Sequence, residues 1–144
     1  MEKQSYKNHV RYYPPHHFVY YPLLIIVLSC SIYFGFTSED HLLWTFISIL
    51  FIFLFCTAFM LRQHYALTLQ NRIVRLELRY RYFTLTGKRF EEIESKLTDS
   101  QLFALRFCPD DEFPQLTQRA LTENLNGTSI KKAIKNWRGD YERV

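Results

Sequence analysis

The sequence predicts an all-α protein: a transmembrane helical hairpin whose second helix continues into a small cytoplasmic helical domain. Residues 18–36 and 42–61 form two apolar runs that contain no Asp, Glu, Lys, Arg or His. A helix rises about 1.5 Å per residue, so runs of this length match a hydrocarbon core roughly 30 Å thick. After the second run, Arg62 to Phe83 contains neither Gly nor Pro, and this absence of stop signals predicts that the helix continues.

The distribution of charge predicts the domain boundaries. All but three of the 18 Lys and Arg residues and all but three of the 14 acids lie from Arg62 onward. We therefore predict an N-terminal arm over residues 1–17, a two-helix hairpin over 18–61 with an outer loop at 37–41, and a helical domain over 62–144. The polar domain is close to the lower size limit for independent stability, so we expect the membrane or a second copy to bury part of its surface.

Basic residues on both flanks of the hairpin predict its orientation. Lys3, Lys7 and Arg11 precede the first run, and arginines follow the second run, whereas the connecting loop carries only the charges of Glu39 and Asp40. Because Lys and Arg are retained on the cytoplasmic side, both termini should be cytoplasmic.

Aromatic residues at the ends of the two runs support a membrane location. Tyrosine and tryptophan favour the headgroup zone, where one end of the ring is apolar and the other is hydrated. The expected interface anchors are Tyr12, Tyr13, Tyr20, Tyr21, Trp44 and the adjacent cation Arg62. Membrane lipids are therefore the first expected partners.

The helix that continues beyond the second run has two apolar faces. A broad face contains Tyr65, Ala66, Leu69, Ile73, Leu76, Tyr80 and Phe83. A narrower strip on the opposite side contains Leu67, Val74 and Leu78. A helix with two apolar faces is usually packed on both sides, so we expect the later helices on one side and a second protomer or another protein on the other. We assign the partner face to the narrow strip, together with Trp137 and Tyr141.

Basic side chains on the same helix and near the C-terminus are candidate contacts for anionic lipids or an acidic partner. They are Arg72, Arg75, Arg79, Lys131, Lys132 and Lys135. The alternative for the three arginines is solvation or pairing with acids of their own domain.

Short helices are predicted in the rest of the domain. The residues from Thr98 to Gln101 match a capping box, which should open a helix. A last helix is predicted from Ser129 to Arg143, with Trp137 and Tyr141 on its apolar face.

Five stretches of the chain, taken together, carry a resemblance to a known family. They are residues 6–9 (Tyr-Lys-Asn-His), 13–18 (Tyr-Pro-Pro-His-His-Phe), 62–66, 69–77 and 130–137. On these stretches the chain resembles a family of small two-pass bacterial membrane proteins, domain of unknown function 6526, of the Bacteroidetes type. The resemblance implies the topology given above and a bacterial inner (cytoplasmic) membrane location. It implies no activity and transfers no catalytic residue.

Catalytic and cofactor signatures are lacking in the sequence. The four glycines form no phosphate-binding loop or dinucleotide fingerprint, and no zinc-protease or nucleophile-elbow motif is present. The histidines lack the fixed spacing of metal ligands, and neither run carries the histidines that a haem would need. We therefore predict no catalytic, metal-binding or cofactor-binding residues.

The sequence favours a non-enzymatic interaction protein, either a homo-oligomer or an accessory subunit of another membrane or cytoplasmic protein. One alternative is a membrane-tethered nucleic-acid-binding regulator that uses the lysines near the C-terminus, although their density is below that of a nucleic-acid footprint. Another is an interfacial enzyme acting on lipids, for which His16, His17, His64 and Arg62 would be the available polar groups.

Overall fold

The computed structural model describes residues 3–10 and 12–141, and these residues form helices, turns and irregular segments without a strand. The all-α prediction is therefore confirmed for the described chain. The chain divides into two compact units. One contains residues 12–68, which we call the hairpin unit; the other joins residues 3–10 to residues 69–141, and we call it the helical unit.

The hairpin unit contains two helical arms. The first arm is a π-helical segment, Pro15–Tyr20, followed by α1, Tyr21–Thr37. The second arm is α2, His41–Met60, followed by a π-helical segment, Leu61–Ala66. The helical residues Pro15–Thr37 and His41–Thr86 both contain stretches long and apolar enough to cross a membrane. The prediction that the second apolar helix continues without a break is confirmed.

Contacts along the hairpin hold α1 against α2. Ser31 is 2% exposed, and its Oγ lies 2.9 Å from the Oγ of Ser48 on the opposite helix. The rings of Phe34 and Trp44 stack with their centroids 4.8 Å apart near the connecting turn. In an apolar surrounding, a paired hydroxyl and close side-chain packing are the main forces that bring two helices together.

Almost the whole remaining surface of the hairpin is apolar and exposed. Only Leu24 and Ser31 are buried in α1, and α2 has no buried residue. A soluble monomer rarely exposes a continuous apolar patch of this extent. The hairpin therefore has the surface expected of a segment that is surrounded by lipid.

The helical unit has one continuous core. It is built on α3, Leu67–Thr86, and on α4, Glu91–Glu94; α5, Asp99–Leu105; α6, Phe113–Thr122; and α7, Gly127–Ala133. The largest fully buried side chains are Phe90, Phe107, Phe113, Leu78, Leu102, Leu105 and Ile130. The predicted capping box is present at the start of α5. The Thr98 side chain accepts a hydrogen bond from the main-chain N–H of Gln101, and the Gln101 side chain accepts one from the main-chain N–H of Thr98.

The N-terminal residues pack onto the helical unit. Gln4 is 4% exposed and makes two hydrogen bonds with the main chain of Asp140, at 2.8 Å and 3.4 Å. The His9 ring lies 5.7 Å from that of Phe107 and 5.6 Å from that of Trp137. Residues 3–10 are thus a structural part of this unit.

The last helix is shorter than the sequence predicts. It ends at Ala133, and Ile134 is extended with φ −67° and ψ 121°. The carboxylate of Glu112 accepts hydrogen bonds from the main-chain N–H groups of Lys135 and Asn136 at 3.0 Å and 3.1 Å. These tertiary bonds replace the ones that a longer helix would make, so Trp137 and Tyr141 are not on a helical face.

Candidate interaction surface

The two apolar faces of α3 have the opposite roles to those predicted. Val74 and Leu78 of the narrow strip are 6% and 0% exposed and belong to the core of the helical unit, so they cannot form a partner face; Leu67 is half-buried. The broad face is the one that remains uncovered. Its members within the helical unit are between 56% and 72% exposed: Leu69, Ile73, Leu76, Tyr80 and Phe83.

The spacing of these five residues is regular. They follow one another at intervals of four, three, four and three positions, and we call them the heptad stripe. This is the spacing of the a and d positions of a coiled coil, with Ile73 and Tyr80 at a, and Leu69, Leu76 and Phe83 at d. A β-branched residue at a with leucine at d favours a two-stranded parallel assembly.

Opposite charges flank the heptad stripe. Arg72 lies at a g position on one side and Glu77 at the e position five residues later on the other. Arg72 is exposed and forms no ion pair or hydrogen bond with the described residues. Glu77 contacts Arg138 at 3.3 Å, with both side chains nearly half exposed. Residues at g and e positions pair between the two helices of a parallel coiled coil. The positive charge on one side of the stripe therefore complements the negative charge on the other side.

The other two arginines of α3 are held by the helical unit itself. Arg75 and Arg79 bind the two carboxylate oxygens of Glu94 at 2.7 Å and 2.6 Å, and Arg75 also binds Asp99 at 2.6 Å. Burial raises the pKa of Glu94, but the hydrogen bonds from Arg79 and Arg75 outweigh it and the net pKa is lowered. These cations therefore serve the fold, which is the alternative that the sequence left open.

A further arginine, Arg81, was not identified as a structural residue from the sequence. It is 5% exposed and donates to Asp110 at 2.8 Å and to the carbonyl of Cys108 at 2.6 Å. Its guanidinium lies 4.7 Å from the centroid of the Phe113 ring. The signal available in the sequence was its position on the same side of α3 as Val74 and Leu78.

The C-terminal lysines contact aromatic residues. Lys131 Nζ lies 3.1 Å from His9 Nε2, and Lys132 Nζ lies 5.5 Å from the centroid of the Tyr6 ring. Lys135 is exposed. The Trp137 ring lies 4.8 Å from that of Phe107, and Tyr141 is 39% exposed. Trp137 therefore packs within its own unit, and two of the three lysines lie over the N-terminal segment.

The predicted interface anchors lie in the hairpin unit. Tyr12, Tyr13 and Tyr20 are exposed, and Tyr21 and Trp44 are half-buried against aromatic rings of the opposite helix. Arg62 is half-buried in the π-helical segment that follows α2. These residues line both ends of the apolar surface.

Two observations concern side chains that could bind a metal ion or act as a nucleophile. No group of three or more His, Cys, Asp or Glu that could hold a metal ion lies within residues 3–10 and 12–141. Burial, with the nearby charge of Glu112, raises the pKa of the Cys108 thiol to about 12, so this buried sulfur remains protonated near neutral pH. The most developed feature of the helical unit is an uncovered surface.

Comparison with known proteins places the chain in a family. No curated protein and no solved structure matches it significantly. One family model, described as a family of unknown function, matches residues 1–144. This match confirms the resemblance noted on residues 13–18 and 69–77, and the chain belongs to the family of unknown function DUF6526.

Proposed function

We propose that this protein is a two-pass protein of the bacterial inner membrane that self-associates through the heptad stripe of α3 and acts as a non-enzymatic interaction protein. The observation that carries the proposal is the exposure of five apolar side chains at coiled-coil spacing on a helix whose other side is already packed.

The apolar surface of the hairpin supports the membrane location. Two helices long enough to span a bilayer stand side by side with most of their side chains exposed. In water this surface would be strongly unfavourable at roughly 25 cal/mol for each exposed Å² of apolar area. In lipid it has no such cost.

The contacts of the N-terminal residues support an even number of membrane crossings by the hairpin. Gln4 and His9 pack on residues 107–140, which follow the hairpin in the sequence. Both flanks of the hairpin must therefore lie on the same side of the membrane. Together with the basic flanks and the acidic loop at Glu39 and Asp40, this contact supports cytoplasmic termini.

A second copy of the chain fits the heptad stripe better than an unrelated protein. Two copies in one membrane have the same orientation, so their α3 helices can meet in parallel and in register. In that arrangement Arg72 of one copy faces Glu77 of the other, and the reverse pair forms by symmetry. The stripe thus carries its own complementary charges.

Disulfide crosslinking in native membranes tests this assembly. Leu76→Cys, at a d position, should form an intermolecular disulfide rapidly on mild oxidation because symmetry brings the two copies of this position together. Leu85→Cys is the control, since Leu85 is on the same helix, 42% exposed, and outside the stripe. Equal crosslinking at both positions, or none at Leu76→Cys, would overturn the proposal.

A charge-exchange cycle tests the pairing. Arg72→Glu and Glu77→Arg should each weaken the dimer, because each places two like charges opposite one another across the interface. The double variant should restore it, because exchanging both charges recovers the attraction between the two copies. The complex purified under mild conditions should have the mass of two chains. Recovery of the chain with one stoichiometric foreign partner would instead identify it as an accessory subunit.

A further inference from the structure

A cleft lies at the end of the hairpin where the two arms emerge from the apolar region. Tyr13, His16 and Tyr20 line it on the first arm, and Ala58, Leu61, Arg62 and Ala66 line it on the second. Its volume is about 370 Å³, which is within the range of small-molecule sites. All of its lining residues belong to the hairpin unit.

Both arms are π-helical beside this cleft. The segments Pro15–Tyr20 and Leu61–Ala66 replace the ordinary α-helical turn on the two sides. A π-helical turn inside an α-helix is rare and occurs frequently at functional sites. Two such segments that face one cleft are a stronger signal than either alone.

The cleft contains a cation that has no counter-charge. Arg62 is half-buried and forms no ion pair or hydrogen bond with the described residues. Every other arginine of the described chain that is at least half-buried is held by a carboxylate, as Arg75 is by Glu94 and Arg81 by Asp110. Arg62 is therefore available to an anion from outside the chain.

A second polar group at the cleft is also unsatisfied. The Nε2 atom of His16 is shielded from solvent and has no hydrogen-bond partner among residues 3–10 and 12–141. Its ring is held in place, stacked on Tyr20 at 5.4 Å and edge-on to Tyr21 at 4.5 Å. A buried, unpaired ring nitrogen on a fixed ring is a ready hydrogen-bonding group for a ligand.

We propose that this cleft binds the phosphate headgroup of a membrane phospholipid, and this inference rests on the membrane location proposed above. Arg62 pairs with the phosphate through its planar guanidinium, and His16 Nε2 hydrogen-bonds to a phosphate oxygen. The apolar side chains of Leu61 and Ala58 continue from Arg62 into the hairpin and accompany the acyl chain. The ligand is thus an amphipathic anion. Its charged headgroup lies beside Arg62, and its apolar chain lies along the helices of the hairpin.

Calorimetric titration of the full-length, delipidated protein in mild detergent tests this site. The probe is dihexanoyl phosphatidylglycerol, compared with dihexanoylglycerol, which lacks the phosphate, and glycerol 3-phosphate, which lacks the chains. We expect saturable binding of the first probe and at least tenfold weaker binding of the other two. Glycerol 3-phosphate binding as tightly as the lipid would assign the cleft to a soluble phosphate and overturn the lipid source.

Variants locate the binding. Arg62→Gln should weaken the affinity for the lipid roughly tenfold, because it removes a charged hydrogen bond. Arg89→Gln, the matched control, removes the same charge from an exposed position in the helical unit and should leave the affinity unchanged. Ala58→Phe keeps both polar groups but fills the cleft, and it should also abolish binding. Unchanged affinity in both Arg62→Gln and Ala58→Phe would overturn the site.

Alkaline extraction of membranes separates this inference from the proposed function. If the protein stays in the membrane and forms the Leu76→Cys dimer but binds no lipid, the cleft assignment alone is wrong. If the protein is extracted as a soluble chain, the membrane location is wrong and the lipid site fails with it.

Discussion

Glu94 shows how one residue can fix several elements of the helical unit. Its carboxylate is 9% exposed and binds Arg75 and Arg79, two successive turns of α3. A buried carboxylate is unfavourable unless charged partners satisfy its oxygens, and here both oxygens are satisfied. The residue thus ties α4 to two successive turns of α3.

Substitution of Glu94 should reduce stability in a pH-dependent manner. Glu94→Gln removes the charge that both arginines bind, and we expect a loss of about 2 kcal/mol in the free energy of unfolding at neutral pH. Because the pKa of Glu94 is lowered in the folded state from its ordinary value of 4.5, its contribution is present above that pH and is lost as the pH falls through the folded pKa. The difference between the variant and the wild type should therefore shrink in acid.

Unfolding followed by circular dichroism across this pH range measures the effect. Glu92→Gln is the matched control, since Glu92 is an exposed carboxylate on the same helix. A difference between Glu94→Gln and wild type that stays constant below pH 4.5 would show that charge pairing is not the cause.

At the scale of single residues, the sequence predicts chemistry better than it predicts burial. The position of Arg81 beside Val74 and Leu78 on α3 is a local signal, but it does not by itself separate this buried, paired arginine from the exposed Arg72. The difference arises because Asp110 and the carbonyl of Cys108 come from a distant loop. The lack of partners at His16 Nε2 is likewise visible only in three dimensions.

At the scale of elements, local signals give the correct result where the stabilising groups are local. The capping box of α5 is an example, because Thr98 and Gln101 are neighbours and satisfy each other's main-chain groups. The end of α7 is the opposite case. Its apolar periodicity continues to Tyr141, but Glu112, more than twenty residues away, binds the main chain at Lys135 and Asn136 and ends the helix early.

The capping box gives a prediction about α5. Thr98→Ala removes the side-chain acceptor for the N–H group of Gln101 and should lower the free energy of unfolding by about 1 kcal/mol. Thr98→Ser retains the hydroxyl and should lose only a few tenths of that value. Chemical denaturation of the two variants side by side measures the difference. Equal losses would mean that the methyl group of Thr98, rather than its cap, is the important feature.

The faces of α3 illustrate what periodicity alone leaves open. The pattern correctly identifies two apolar strips on the helix, but it does not tell which strip meets the rest of the chain. The narrow strip is the one that the rest of the unit covers: Val74 and Leu78 belong to the buried core, while the members of the broad strip within the helical unit are exposed. The width of an apolar strip is thus a poor guide to which strip the helix buries against its own chain.

At the scale of the whole molecule, the charge distribution suggested a boundary between residues 61 and 62. The compact units divide between Thr68 and Leu69 instead, and residues 3–10 belong to the second unit. A change in composition along the chain can mark a boundary between consecutive segments only. It cannot show that the N-terminal residues pack with a unit that begins more than fifty positions later. Gln4 and His9 make this connection through contacts that are entirely non-local.

The contact of Gln4 with Asp140 leads to a prediction for the complete protein. Gln4→Ala removes both hydrogen bonds to the main chain of Asp140, and we expect a loss of roughly 1–2 kcal/mol in the free energy of unfolding. The freed segment should also be cleaved faster by trypsin after Lys7. Lys3→Ala, on an exposed neighbour, is the control. Unchanged cleavage and stability in Gln4→Ala would show that the segment is held by its aromatic contacts alone.

The same contact has a consequence for the order of events during biosynthesis. The ribosome makes Gln4 before either apolar helix exists, and it makes Asp140 after both are complete, 136 positions later. Residues 3–10 must therefore stay unattached to their partners while the hairpin and α3 to α7 are synthesised. Contacts of such long sequence separation form late because the entropy of closing the intervening loop opposes them. Residues 3–10 therefore reach their final position after the helices that follow them in the sequence.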